Sequence, residues 1–250
     1  MRILNSLALG AAVAMIAIGA AQAQETLKIG TEGAYPPFNG LTSDGKLEGF
    51  DIDIANALCE EMKVTCEFVT QDWDGIIPAL QAGKFDALVA SMSITDERKQ
   101  QVDFSNPYYT NSLTFVAPKD SDFSAAATAG KAIGVQQGTI AAEFVEKTYP
   151  DAELKAYPTQ EEAWADLANG RVNAVLADFG VQYGWVNGDN GKCCEFKGDP
   201  VSSDDKIGIA IRKGDTALAE KLNAALDAIR KSGKYKQIND KYFPFDIYGN

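Results

Sequence analysis

The residues best placed to do chemistry lie where short apolar runs give way to loops. Thr31-Glu32-Gly33-Ala34-Tyr35-Pro36-Pro37-Phe38 sets one acid among aromatic and turn-forming residues, a composition suited to a binding loop. Ala90-Ser91-Met92-Ser93-Ile94-Thr95-Asp96-Glu97-Arg98 carries hydroxyls at alternating positions and puts Arg98 in the first turn of a short helix opened by Thr95 or Asp96. A cation there opposes the helix dipole unless it faces an anion. Arg98 therefore reads as an anchor for a carboxylate, held by two parallel charge-assisted hydrogen bonds with a hydroxyl added by Ser93; the plainer alternative is a surface arginine paired with Asp96 or Asp103. Gln136-Gln137-Gly138-Thr139 leads from a strand into a helix and offers free backbone N–H groups to an anion. Asp178 closes a later apolar run, where a carboxylate accepts from an ammonium group or caps the next helix.

Composition removes several function classes. The chain has 250 residues and no histidine, so histidine-based triads and bases are excluded and a zinc site lacks support. No phosphate-cradling glycine loop or dinucleotide fingerprint follows a strand, and no cofactor is implied. Carboxylate or lysine catalysis stays open. The formal charge of −12 argues against nucleic acid as a partner and modestly attracts cationic solutes.

Positioning these residues requires alternating strands and helices, the pattern of an α/β protein. Met1-Arg2, the apolar run Leu7 to Ala20 and Ala21-Gln22-Ala23 predict an export signal over 1–23, cleaved to leave Gln24 first; the run is too short for a membrane anchor. No later segment is apolar enough to cross a bilayer. Strands are expected at Leu27 to Thr31, Val64 to Val69, Phe85 to Ala90, Ala132 to Gln136, Val172 to Ala177 and Ile207 to Ile211. Asp51 is expected to cap a helix carrying Ile54, Ala55, Leu58 and Met62 on one face, Asp72 or Asp74 to cap a second, and Asp215 to cap one bearing Leu218, Leu222, Leu226 and Ile229 that Gly233 stops. Thr159 and Glu162 form a capping box for a helix that runs to Asn169.

The stretch Leu80 to Ala90 matches Leu167 to Ala177 in residue class at nearly every position without a gap, which indicates two lobes built alike. The second begins near Leu113 to Pro118 and returns near Val201 to Lys206, and the C-terminal segment rejoins the first. Among the four cysteines, Cys59 and Cys66 are expected to pair, joining a helix end to the next strand and contributing about 2–3 kcal/mol on chain-entropy grounds. The adjacent Cys193 and Cys194 admit a vicinal disulfide, free thiols or a bridge between molecules.

Taken together, Ile29-Gly30-Thr31-Glu32 with Tyr35 and Pro37-Phe38, Gly49-Phe50-Asp51-Ile52-Asp53, Asp74-Gly75-Ile76-Ile77-Pro78, Ser93 to Arg98, Phe104-Ser105 and the closing Phe245-Asp246-Ile247-Tyr248-Gly249 resemble the polar amino acid binding proteins of bacterial ABC transporters (solute-binding family 3), in the lysine, arginine, ornithine and histidine group. The resemblance covers the chain from Gln24 onward, and the Cys59 to Cys66 spacing matches the disulfide of its basic amino acid members. It implies a type II periplasmic binding protein fold, α/β, with lobe 1 at 24–110 plus 205–250, lobe 2 at 111–204 and two hinge strands. It further implies a monomer in the periplasm that delivers a small-molecule amino acid to an inner-membrane permease.

Residue by residue, the resemblance gives Arg98, Ser93 and the Thr139 amide to the ligand α-carboxylate, and Asp178 with Ser91 to the α-ammonium. It gives Tyr35 and Trp73 to the faces of the ligand side chain, and Glu32 to a distal cation. Ala90, Ile140 and Ala141 stand where relatives often carry polar side chains. Glu32 with Trp73 also resembles opine binders. A cyclohexadienyl dehydratase of the same fold makes an enzyme the rival reading, and a receptor reporting to another membrane protein is a further one.

Overall fold

The computed structural model describes residues 25–249, so residues 1–23, read above as an export signal, lie outside the described residues. Strand β1 (Thr26–Thr31) is followed by a small antiparallel sheet of β2 (Ala34–Tyr35), β3 (Asn39–Leu41) and β4 (Leu47–Glu48). Helix α1 (Phe50–Met62), β5 (Thr65–Thr70), α2 (Ile76–Gln81), β6 (Ala87–Leu88) and the short α3 (Asp96–Gln101) complete the first group. The 17-residue β7 (Val102–Pro118) then leads away. A second group follows: β8 (Ala132–Gln136), α4 (Ile140–Thr148), β9 (Glu153–Tyr157), α5 (Gln160–Ala168), β10 (Ala174–Asp178), α6 (Phe179–Asn187) and β11 (Cys194–Phe196). Strand β12 (Ser202–Arg212) returns to the first group, which α7 (Thr216–Lys231) and α8 (Lys234–Tyr242) close.

Strand order in the main sheet is β5-β1-β6-β12-β7-β10-β8-β9, with β11 also on β7. The parallel trio β5-β1-β6 and the parallel trio β10-β8-β9 are thus joined by two long antiparallel strands, and the register of β7 with β12 slips near Ser202 to Asp205 and near Gly208. Each side has its own apolar core: Ile76, Leu80, Phe85 and Leu88 in one, Phe115, Ile133, Val135 and Leu176 in the other. The C-terminal helices rejoin the first side, where Leu222, Leu226 and Ile229 of α7 are buried in the same cluster as Ile54 and Leu58 of α1. The final segment straps the back of the crossing strands, the Thr110 N–H donating to the Ile247 carbonyl and Phe245 packing on Phe179 and Tyr183 of α6.

The internal sequence match is a structural repeat. Helices α2 and α5 stop in the same way, at Gly83 with φ 75° and Gly170 with φ 70°, conformations costly for a residue with a Cβ. In both turns the next N–H reaches back to the helix, from Lys84 to the Ala79 carbonyl and from Arg171 to the Asp166 carbonyl. Asp86 then accepts from the Lys28 N–H and Asn173 from the Ala132 N–H, fixing each following strand against its neighbour. Register agrees too: Ile29 and Gly30 face Ala87 and Leu88, while Ile133 and Gly134 face Ala174 and Val175.

Local signals succeeded where side-chain chemistry decided the outcome. Thr159 and Glu162 form the capping box, and Thr95, Thr139 and Asp215 accept from N–H groups of the first turns of α3, α4 and α7. Two expected caps are absent. Asp51 lies inside α1 with Gly49 at the cap position, where a Cβ would collide with the Phe38 carbonyl. Gly75, not Asp72 or Asp74, precedes α2. Strand β6 is shorter than Phe85 to Ala90, because Phe85 packs into the core before pairing begins and the chain turns out towards Ser91. Strand β10 runs two residues later than its expected start and ends on Asp178. Asp178 stands at the cap position of α6, the helix expected after it, but makes no side-chain capping bond; the polar α8, which carries no sequence expectation above, is held by buried Tyr235 and Ile238. Cys59 and Cys66 are bonded, with Cα atoms 5.8 Å apart, and Cys193 and Cys194 are bonded to each other.

Candidate functional site

A narrow cleft lies between the two strand groups, at the C-terminal ends of their parallel strands. Ligand sites in open α/β sheets occupy such strand ends. Glu32, Tyr35, Trp73, Ser91, Ser93, Arg98, Thr139 and Asp178, all singled out above, line it together with Gln136, Gln160, Ala177, Ala90, Ile140 and Ala141. Residues separated by up to 146 positions in the chain, from Glu32 to Asp178, therefore face one space. The repeat accounts for part of this convergence. Counting on from the matched strand pairs, Glu32 corresponds to Gln136 and Ser91 to Asp178, so equivalent strand ends on the two sides supply partners across the cleft.

At one end, Arg98 is 8% exposed, and burial works against its charge while Asp205, Glu143 and Asp178 favour it. One guanidinium nitrogen donates to the Ser93 carbonyl at 3.0 Å and the other to the Gly138 carbonyl on the opposite side at 3.1 Å. The Trp73 indole N–H also donates to the Gly138 carbonyl, and Arg98 lies 5.3 Å from the Trp73 ring centroid. Arg98 is therefore not the surface arginine of the plainer reading: Asp96 pairs with Lys99 and Asp103 with Lys213. The Thr139 hydroxyl is engaged in helix capping and in donating to the Gln136 carbonyl, which leaves its backbone N–H as its contribution to an anion. The Ser93 hydroxyl donates to Asp205 at 2.9 Å, so in this arrangement its hydrogen is directed to the crossing strand.

Asp178 is buried beside Asn111, which donates to it at 2.7 Å and to Asp205 at 3.1 Å. Burial first, then the Asp205 charge, raises the Asp178 carboxyl from its ordinary value to about 7. The Tyr35 hydroxyl lies against the same carboxylate, and burial together with that charge keeps the phenol protonated. The Ser91 hydroxyl donates to the fully buried Asp51, leaving its oxygen lone pairs to accept from a cation. Asp51 organises this side of the cleft: it accepts from Ser91, Tyr108 and Asn39, while Asn39 accepts from the Gly33 N–H beside Glu32. The Tyr108 hydroxyl in turn accepts from the Ser91 N–H, holding Ser91 at φ 53°.

At the other end, Glu32 accepts from Gln136 at 2.6 Å, and burial raises its carboxyl to about 7, with Asp72 and Glu161 adding like charge. Gln136 also donates to the Pro158 carbonyl. The cleft thus presents one cation and one acid at its Arg98 end and a second acid at the far end. Sequence reasoning missed Asn111, Asp205 and Gln160. The first two are polar positions on the long crossing strands and the third sits behind a helix cap, so no local pattern marks them. Among the described residues there is no cluster of histidine, cysteine or carboxylate side chains able to hold a metal ion, and no helix long and apolar enough to cross a membrane.

Two α/β units on a shared pair of crossing strands, with a charged cleft between them, define a solute-binding protein by architecture. The chain belongs to family 3 of the bacterial extracellular solute-binding proteins, whose sequence pattern it matches over residues 27–245. It is 47% identical to the L-arginine-binding protein of Pseudomonas aeruginosa over 96% of each chain, and 38% identical to ABC transporter arginine-binding protein 1 of Escherichia coli over 96% of this chain and all of that one. An ancestral arginine-binding protein solved with arginine superposes with a TM-score of 0.83 at 42% identity, covering 88% of this chain and 99% of that one. The same ancestral description applies to a structure solved with glutamine, with a TM-score of 0.83 at 40% identity, covering 89% of this chain and all of that one. The fold is that of type II periplasmic binding proteins.

Proposed function

We propose that this protein is the periplasmic binding component of an amino acid ABC importer and captures a cationic amino acid, with arginine the leading ligand. The observation that carries the reading is the set of charges lining one cleft: Arg98, on which the Asp178 charge acts, and Glu32, held apart from that pair by Gln136 and with Asp72 and Glu161 as its charged neighbours. A zwitterionic head needs a cation and an anion side by side, and a distal guanidinium or ammonium needs a second acid. In this reading Arg98, the Thr139 amide and Ser93 take the α-carboxylate, with Ser93 turning from Asp205. Asp178 and the Ser91 oxygen take the α-ammonium, Tyr35 and Trp73 flank the side chain, and Glu32 pairs with the distal cation. Lobe 1 is 24–110 plus 205–250 and lobe 2 is 111–204, moving about β7 and β12; residues 1–23 direct export, and the monomer hands its ligand to an inner-membrane permease.

Calorimetry of ligand-stripped protein against the standard amino acids, ornithine and opines tests this. Cationic amino acids are expected to bind most tightly, and binding confined to acidic or apolar ones would overturn the reading. Arg98→Ala is expected to weaken binding by about 3 kcal/mol, roughly a hundredfold, because it leaves a carboxylate unpaired; near-normal affinity would remove Arg98 from the site. A second reading, a proton-transfer enzyme on the same fold, draws on the two cleft carboxyls raised to about 7. Turnover of prephenate or arogenate would favour it.

A further inference from the structure

Helix α6 holds two glycines among its nine residues, Gly180 and Gly184, one turn apart on one face. Glycine weakens a helix interior relative to alanine, so the pair calls for a tertiary reason. That reason lies across the cleft boundary, in the loop that follows β1. A Cβ on Gly180 would lie 2.8 Å from Cζ of Phe38, and a Cβ on Gly184 would lie 2.8 Å from Cδ of Pro37. Both distances are too short for two carbon atoms.

Both partners are fixed on their own sides. Gln182 ties α6 to the second sheet: fully buried, it accepts from the Trp164 indole N–H and donates to the Val175 carbonyl. Pro37 and Phe38 are tied to the first side, where their carbonyls accept from the Phe50 and Asp51 N–H groups that open α1. The Phe38 ring also stacks on Tyr109, with centroids 4.9 Å apart. The same loop brings Tyr35 against Asp178, the residue before α6, and these two line the cleft. Tyr35 with Asp178, Phe38 with Gly180 and Pro37 with Gly184 therefore lay 35–38 along 178–184.

Building on the two-lobe reading proposed above, we infer that Gly180 and Gly184 are positioning residues for ligand capture: lacking a Cβ, they form the seat on which the 35–38 loop rests when the lobes close. The seat sets the separation at which Tyr35 meets Asp178, although neither glycine lines the cleft. With both partners fixed, an added methyl group is accommodated by moving one lobe from the other. That lowers the population of the arrangement that grips ligand from both sides, and apparent affinity falls by the same factor. The open arrangement feels no such clash and gains a better helix former, so affinity and ligand-free stability respond with opposite signs.

The test compares Gly180→Ala, Gly184→Ala and the control Asn187→Ala, which changes an exposed position at the end of the same helix. Arginine affinity is read by calorimetry, and the thermal midpoint is read on ligand-stripped protein. At least one glycine variant is expected to lose about fivefold or more in affinity while its ligand-free midpoint stays at or above that of wild type, and Asn187→Ala is expected to keep wild-type affinity. A smaller loss in both glycine variants, an equal loss in the control, or midpoints that fall together with affinity would overturn the inference, the last because it would make the glycines part of the fold alone. Wild-type protein that bound no cationic amino acid would instead strike the proposed function, so the two failures are distinguishable.

Discussion

Glu32 and Asp178 each reach the cleft from a strand end, and both carboxyls are raised to about 7, chiefly by burial. Asp51 beneath them is raised to about 6 for the same reason. A bound cation favours the ionised forms, so it lowers the two cleft values and releases protons. Affinity for a cationic ligand is therefore expected to rise between about pH 6 and about pH 8, and calorimetry in buffers of different ionisation enthalpy should record proton release. Folding responds with its own sign. Because these three folded pKa values exceed those of the unfolded chain, the folded protein holds more protons between about pH 4 and about pH 7, and stability without ligand should fall as pH rises through that window. A thermal midpoint that climbs over the same window would contradict this. At this scale the sequence was informative about residue type: an acid in a glycine and proline loop, an arginine in an unfavourable first turn, an aspartate ending a strand. It was silent on protonation, which depends on neighbours such as Asp205 and Tyr35 that only folding supplies.

Elements were legible wherever a local interaction decides them. Capping is the clearest case, since a hydroxyl three residues from an N–H is a short-range affair. Thr159→Ala is expected to cost about 1 kcal/mol of stability in chemical denaturation, and the loss should appear without any change in the denaturant slope. Where the expectation failed, a tertiary contact outweighed the local one. Asp51 has the chemistry of a cap, yet Gly49 takes that position because the Phe38 backbone approaches too closely for any Cβ. Asp51 is then free to be buried as the acceptor that orders Ser91, Asn39 and Tyr108. The repeated helix-stop-strand unit read correctly for a related reason: helix stop, glycine and strand are adjacent in sequence, and the Asp86 and Asn173 contacts that lock each copy lie within it and its neighbouring strand.

For the whole molecule, ligand contacts on both sides of the cleft should favour a closed arrangement about β7 and β12. Small-angle scattering is expected to show a smaller radius of gyration with saturating arginine than without it, and no such change in Arg98→Ala at the same concentration. The strap from Phe243 to Gly249, which binds Thr110 and packs on α6, sits behind those strands. By itself the sequence indicated the α/β class, the two matching units, the cysteine pair of the first unit and most of the residues that line the cleft, while Trp73 came only with the family resemblance. It could do so because periodicity, capping, turn chemistry and strand ends are local, and an internal repeat exposes global symmetry to a local reading. Only the tertiary structure decided that Asn111 and Asp205 join the site from the crossing strands, and that Ser93 turns to Asp205. Those facts depend on which strand ends and crossing strands meet across the cleft, and the order of residues along one chain does not state distances between its separate parts.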